Sequence, residues 1–199
     1  MTTFARLLVC LLALPLGSLA AAKPSAKAQE VLFEPKGTFP AQGGPAFKVG
    51  FFGDRAGLLV GGTGSLILGE GLGLGMGGYS LSSELTTDFD GAVHDVGLSY
   101  GGLIIENSFF ERKLFYLNVS TMIGPGQAYA VARRAGSRRE HVLFFLVEPE
   151  LNCMLNVTRE LRVGLGIGYR VSAGADVGRV VGMDMNGFSS KFTLFYGRL

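Results

Sequence analysis

Two histidines, His94 and His141, are the only imidazoles in the 199-residue chain. A lipid hydrolase of the serine type needs a serine activated by a neighbouring histidine. Both histidines fall near strand ends, where such a site would sit, but no adjacent serine completes a hydrolase pattern. Asp88, Asp90, His94 and Asp95 offer oxygen and imidazole ligands to a cation, yet their spacing matches no calcium loop, and a polar loop accounts for them. Gly73-Leu74-Gly75-Met76-Gly77-Gly78 fits the letters G-x-G-x-x-G. That fingerprint holds a pyrophosphate only where a strand leads into a helix N-terminus. No helical period follows here, so these glycines are read as small residues facing a crowded interior. Asn118-Val119-Ser120 and Asn156-Val157-Thr158 are glycosylation sequons by letter alone. No catalytic, cofactor-binding or metal-ligating residue is assigned, and the chain is read as no enzyme.

A second set of charged residues is more informative. Lys48, Asp95, Glu148, Glu150, Arg162, Arg170 and Lys191 recur on the faces of strands that otherwise carry glycine, serine and asparagine. Charges removed from water must be paired or hydrated. The chemistry expected of this set is therefore a network of ion pairs inside the fold.

The elements that position such a network must alternate. In 161–172, Leu161, Val163, Leu165, Ile167, Tyr169 and Val171 share one face, and Arg162, Gly164, Gly166, Gly168, Arg170 and Ser172 the other. Successive side chains of a strand point to opposite sides, so this is a strand pattern. A soluble sandwich also alternates, but its outer polar face is usually bulky and charged. Small residues plus two arginines suit the inside of a narrow barrel. The same period predicts strands over 46–52, 57–68, 72–78, 92–106, 114–124, 142–155 and 187–198. In 92–106 the reading puts Val96, Leu98, Tyr100 and Ile104 outside, with Asp95, Gly97, Ser99 and Gly101 inside. In 57–68, Leu59 and Ile67 spoil the polar face.

Composition agrees. Glycine is plentiful, at 31 residues, and charged residues make up 17%, against roughly 25% in an ordinary soluble domain. A net charge of +2 gives no sign of a nucleic-acid partner. Residues 1–22 read as a secretory signal: Arg6, an apolar run from Leu7 to Leu16 too short to span a bilayer, and Leu19-Ala20-Ala21-Ala22 for cleavage. Cys10 lies within it, preceded by Val9 rather than the small residue a lipoprotein signal prefers. Cys153 then remains alone, so no disulfide forms within the mature chain. Residues 23–45 read as a periplasmic lead-in and 46–199 as the barrel. The fold class is all-β: an eight-stranded antiparallel up-and-down transmembrane β-barrel.

The chain resembles a group of uncharacterised small outer-membrane β-barrel proteins of Gram-negative bacteria. The segments that carry the likeness are Leu58-Leu59-Val60-Gly61-Gly62, Met76-Gly77-Gly78-Tyr79, Ser99-Tyr100-Gly101-Gly102, Thr121-Met122-Ile123-Gly124, Val147-Glu148-Pro149, and the run from Leu155-Asn156-Val157-Thr158 to Gly168-Tyr169-Arg170. No single motif is specific; their order and spacing are. The resemblance implies a location and an architecture rather than a reaction. It also implies insertion by the outer-membrane assembly machinery, for which a terminal phenylalanine is the usual mark; Leu199 stands in that place.

Together these readings predict a monomeric barrel in the bacterial outer membrane with a structural or surface-interaction role and a lumen plugged by polar and charged side chains. A lipid-modifying barrel enzyme and a narrow minor pore are the alternatives. Val49, Leu74, Leu98, Leu117, Phe145, Leu165 and Leu194 are expected to form an apolar belt. Counting from a turn centred near Thr158 places Glu148 opposite Gly168 and within reach of Arg170. Arg133, Arg134, Arg138 and Arg139 are expected in an external loop, where guanidinium forks suit the phosphates of lipopolysaccharide. A solvated basic loop is the competing reading there.

Overall fold

The structure is a computed structural model of the chain; it describes residues 41–69, 71–89, 92–132, 140–174 and 184–197. The secretory signal, Arg133, Arg134, Arg138 and Arg139 lie outside the described residues. Among the described residues nine strands follow in order: β1 (Ala41–Phe52), β2 (Arg55–Gly69), β3 (Leu72–Leu81), β4 (Thr86–Phe89), β5 (Ala92–Phe109), β6 (Phe115–Ala132), β7 (Glu140–Asn156), β8 (Leu161–Ala173) and β9 (Gly187–Gly197). β1 begins at Ala41, so Ala41 to Pro45 are strand rather than lead-in.

Every pairing is antiparallel. The sheet runs β3-β2-β1-β9-β8-β7-β6-β5, and β3 pairs back to β5, so the barrel closes. β3 and β4 both pair with β5, at Ser80↔Ser99 and then Thr86↔Asp95, and together form one interrupted stave. Eight staves therefore make the wall. Closure leaves no unpaired strand edge.

Burial is inside out relative to a soluble domain. Large apolar side chains cover the outer wall, among them Phe47, Leu74, Met76, Leu103, Leu117, Leu143, Leu151, Leu165 and Ile167, while Lys48, Glu148, Arg162 and Arg170 are 0–1% exposed. Val49, Leu74, Leu117, Phe145 and Leu165 are exposed on the outer wall as expected. Leu194 shares the outward side of β9 with Phe192 and Tyr196. Leu98 does not join them: it is 4% exposed and lies in the interior core.

That error covers the whole of β5. Val96, Leu98, Tyr100 and Ile104 point inward, and Asp95, Leu103 and Ile105 are exposed on the outside. Period two shows which residues share a face, not which face is inside. The apolar side of β5 faces inward because one end of the interior is itself apolar. There it meets Phe52, Leu59, Leu85, Phe144, Leu146 and Met185. Leu59, which spoiled the polar face of its strand, belongs to the same core.

β5, β6 and β7 are 18, 18 and 17 residues long, against 12, 13 and 11 for β1, β8 and β9. β7 runs on past Phe145, where its pairing with β8 reaches Ala173. These three strands rise beyond their neighbours at the end that carries the β6–β7 connection.

Candidate functional site

The interior can be built in layers, starting at the end where β1 begins. Arg162 on β8 is fully buried. Its Nη1 donates to Oε1 of Gln42 at 2.9 Å, and Nη2 donates to the carbonyl of Gly197. The other end of the same amide, Gln42 Nε2, donates to Oε1 of Glu106 at 2.9 Å. Ser65 Oγ and Asn118 Nδ2 also donate to the Glu106 carboxylate. A carboxylate and a guanidinium are thus joined through one amide. Tyr116, Met154 and Phe195 pack together as a small apolar cluster of buried residues. A cavity of about 20 Å³ lies among Glu106, Asn118, Ser120, Glu150, Asn152 and Lys191. That is room for about one water molecule, and Oδ1 of Asn152 is buried without a partner.

The next layer is ionic. Lys48 Nζ lies 2.7 Å from Oε2 of Glu148 and 2.5 Å from Oε1 of Glu150. Lys191 pairs with Glu150 through its other oxygen. Ser189 Oγ donates to Glu148 at 2.9 Å, and Ser120 Oγ to Glu150 at 3.2 Å. The Lys48 ammonium also sits 4.0 Å from the centre of the Tyr79 ring, a cation–π contact. Small residues make space for this: Glu150 stands opposite Gly168 on β8 and Lys191 opposite Gly166. A Cβ on Gly166 would meet the Asn152 amide at 2.1 Å.

Arg170 caps the ionic layer. Its Nε donates to the carbonyl of Met185 at 2.8 Å and its Nη2 to that of Phe51 at 3.3 Å. Its guanidinium lies 4.4 Å from the centre of the Phe52 ring. Beyond it the interior is filled by the apolar core that contains Phe52, Leu59, Leu98, Phe144 and Leu146.

The structure thus brings Lys48, Glu148, Glu150 and Lys191 into direct contact and sets Arg162 and Arg170 in separate layers on either side. Asp95 does not belong to the network, because the inverted face of β5 carries it outside. Glu148 and Arg170 form no direct ion pair. The Tyr100 hydroxyl stands between them, donating to Glu148 at 3.1 Å and accepting from Arg170 Nη1 at 3.5 Å. The expected register is also corrected. Asn156 pairs Arg162, so the β7–β8 turn centres on Arg159, and Glu150 rather than Glu148 faces Gly168. Thr158 Oγ1 accepts from the Leu161 and Glu160 amides and tightens that turn.

Glu106, Gln42, Tyr79 and Tyr100 are interior residues that sequence reasoning misses. Glu106 carries the missing signal for β5: it shares the parity of Ile104, and a carboxylate on an apolar outer wall is costly. Gln42 lies in the stretch read as lead-in.

Of the residues singled out on chemical grounds, Asp90 lies outside the described ones. Gly73, Gly75 and Gly77 lie on β3, where the chain continues as strand. Asn118 and Asn156, the sequon asparagines, are both buried. The His141 ring lies 5.8 Å from that of Tyr129, and His94 pairs with Ala132 at the outer end of β5. Among the described residues no three His, Cys, Asp or Glu side chains group as metal ligands would.

No protein-family model matches the chain, and no curated protein does. Among solved structures it is similar to Neisserial surface protein A, at 11% identity and a TM-score of 0.55, covering 78% of this chain and 92% of that one. The N-terminal β-barrel domain of Pseudomonas aeruginosa OprF aligns at 9% identity and TM-score 0.49, over 79% and 96% of the two chains. Ail, the attachment invasion locus protein of Yersinia pestis, aligns at 11% and 0.44, over 79% and 94%. The likeness to the Neisserial protein is one of fold: a closed eight-stranded antiparallel barrel.

Proposed function

We propose that this protein is an integral outer-membrane β-barrel of a Gram-negative bacterium, with a structural or surface-interaction role and an interior closed by its own side chains. The observation that carries the reading is the inverted burial. Phe47, Leu74, Met76, Leu103, Leu117, Leu165 and Ile167 face out, and Lys48, Glu148, Arg162 and Arg170 face in. An exposed apolar surface of that extent is stable only against lipid, and a closed barrel is one of the two backbone arrangements a bilayer tolerates. The termini and the β2–β3, β5–β6 and β7–β8 turns share the periplasmic end in this reading. The β6–β7 connection, with Arg133, Arg134, Arg138 and Arg139, is external and meets the phosphates of outer-leaflet lipopolysaccharide.

The reading is tested by fractionation. The protein should band with outer-membrane markers on a density gradient and resist extraction by alkaline carbonate. Recovery in the soluble fraction contradicts it. The pore alternative needs a continuous polar path, and the apolar layer above Arg170 opposes one. Purified protein in planar bilayers should therefore show no stepwise conductance; regular steps would restore the pore.

A further inference from the structure

We propose that the β5–β6 turn holds an anionic phospholipid of the periplasmic leaflet, with Lys113 on its phosphate and Phe110 and Phe115 against its acyl chains. The inference rests on the membrane reading above and adds a specific ligand to it. Phe110, Lys113, Phe115, Leu117 and Cys153 line an open groove of about 200 Å³ on the outer wall. Its floor is apolar and continuous with the belt, since Leu117 pairs with Cys153, and Cys153 with Leu165. Phe115 is 60% exposed and Phe110 71%. Phe110 is the only described residue other than glycine with a positive φ, at 62°. A bulky side chain rarely adopts that backbone, and here it turns the ring outward. Strain of this kind is retained where the side chain has a task.

The cation of the groove is exposed at its mouth. Among the described residues no carboxylate lies within ion-pair distance of Lys113, whose ammonium sits 5.9 Å from the centre of the Phe110 ring. Its backbone N–H donates to the Phe110 carbonyl, so the turn holds the two residues on one side of the chain reversal. Glu111 does not neutralise it: burial pushes that carboxyl up, and the cations that act on it are Arg112 and Arg162. Asn156 Nδ2 donates to the carbonyls of Glu111 and Lys113, which anchors the turn to β7. A cation beside two exposed rings at the edge of an apolar belt matches an anionic headgroup with its chains.

The chain has no tryptophan, so Phe115→Trp places one fluorophore in the groove. The full-length variant is reconstituted in phosphatidylcholine vesicles containing phosphatidylglycerol, with either lipid brominated in its chains. Quenching should report about fivefold enrichment of the anionic lipid at the tryptophan, the preference one surface cation gives. Lys113→Gln should abolish the preference and Arg112→Gln should leave it. Equal quenching by the two lipids overturns the site while keeping the membrane reading. Equal loss in both variants overturns it too, because that reports diffuse attraction. No quenching by either lipid overturns the membrane reading as well. Should Phe115→Trp fail to fold, bimane on Cys153 in a Cys10→Ser chain reads the same groove.

Discussion

The Lys48 ammonium lies 2.7 Å from the Glu148 carboxylate, joining β1 to β7 across the barrel with neither side chain reaching solvent. The two residues are 100 positions apart in the chain. Their contact exists only once the barrel has closed through the β1–β9 pairing. Breaking a buried pair by removing one partner costs about 3–5 kcal/mol, since the other charge stays buried. Lys48→Ala leaves Glu148 without its cation and Glu150 with Lys191 alone, and should lower stability in lipid vesicles by that amount in urea titrations. A loss below about 1 kcal/mol, the value of an exposed pair, would mean that water reaches the site.

Tyr100 should couple Glu148 to Arg170. Its hydroxyl is the bridge between them. Tyr100→Phe leaves a buried carboxylate oxygen one donor short, at a cost of about 1–3 kcal/mol. A double-mutant cycle between Glu148→Gln and Arg170→Gln should show coupling in the parent chain and lose most of it in the Tyr100→Phe background. Coupling that survives intact would mean that the two charges touch directly.

β5 shows how much of this was legible in the sequence. Eight alternating segments, their order and most of their faces follow from period two, because glycine, serine and charge mark the inner side of β3, β7, β8 and β9. β5 carries bulky apolar residues on its inner face and Gly97, Ser99 and Gly101 on its outer one, so the same rule inverts it. Only Glu106 breaks the tie. The layered interior was not legible either, because it depends on how the staves are staggered around the wall. A one-residue error in the β7–β8 turn was enough to put Glu148 where Glu150 stands, opposite Gly168.

The outer wall should change from lipid to water partway up β6. From Phe115 to Gln127 the strand rises roughly 30 Å along the barrel axis, more than an apolar band of about 25 Å. Gln127 donates to Ser99 across an exposed surface, and His141 faces Tyr129 above them. Leu165→Arg, within the band, should therefore cost more than Gln127→Arg, whose cost should be about 0–1 kcal/mol, with about 2–4 kcal/mol as the midplane ceiling. Equal costs in vesicle unfolding titrations would move the boundary.

β5 and β6 lie close together at Gly102 and Gly124. A Cβ on Gly102 would lie 2.1 Å from the Ile123 carbonyl oxygen and 2.7 Å from the Cα of Gly124. Both obstacles are backbone and cannot rotate away. Gly102→Ala should destabilise by about 1–3 kcal/mol through forced backbone shifts. Gly53→Ala provides the contrast: its φ is +63° with nothing within 4 Å of the added carbon, so only conformational strain of about 1 kcal/mol is expected. Equal losses would show that the strands can separate at Gly102 without penalty.

Strand order puts the β6–β7 and β7–β8 connections at opposite ends of the barrel, and the proposed topology makes the first external. A tag inserted at Gly136, between β6 and β7, should be reached by protease added to intact cells, whereas one at Arg159 should be protected until the membrane is opened. The reverse pattern would invert the topology.

Refolding tests the central claim, that the apolar wall requires a bilayer, most directly. Urea-denatured protein diluted into phospholipid vesicles should gain β-sheet circular dichroism and run, unboiled, as a compact band distinct from the boiled chain. Dilution into plain buffer should give neither. The same folded band in buffer without lipid or detergent would contradict the account.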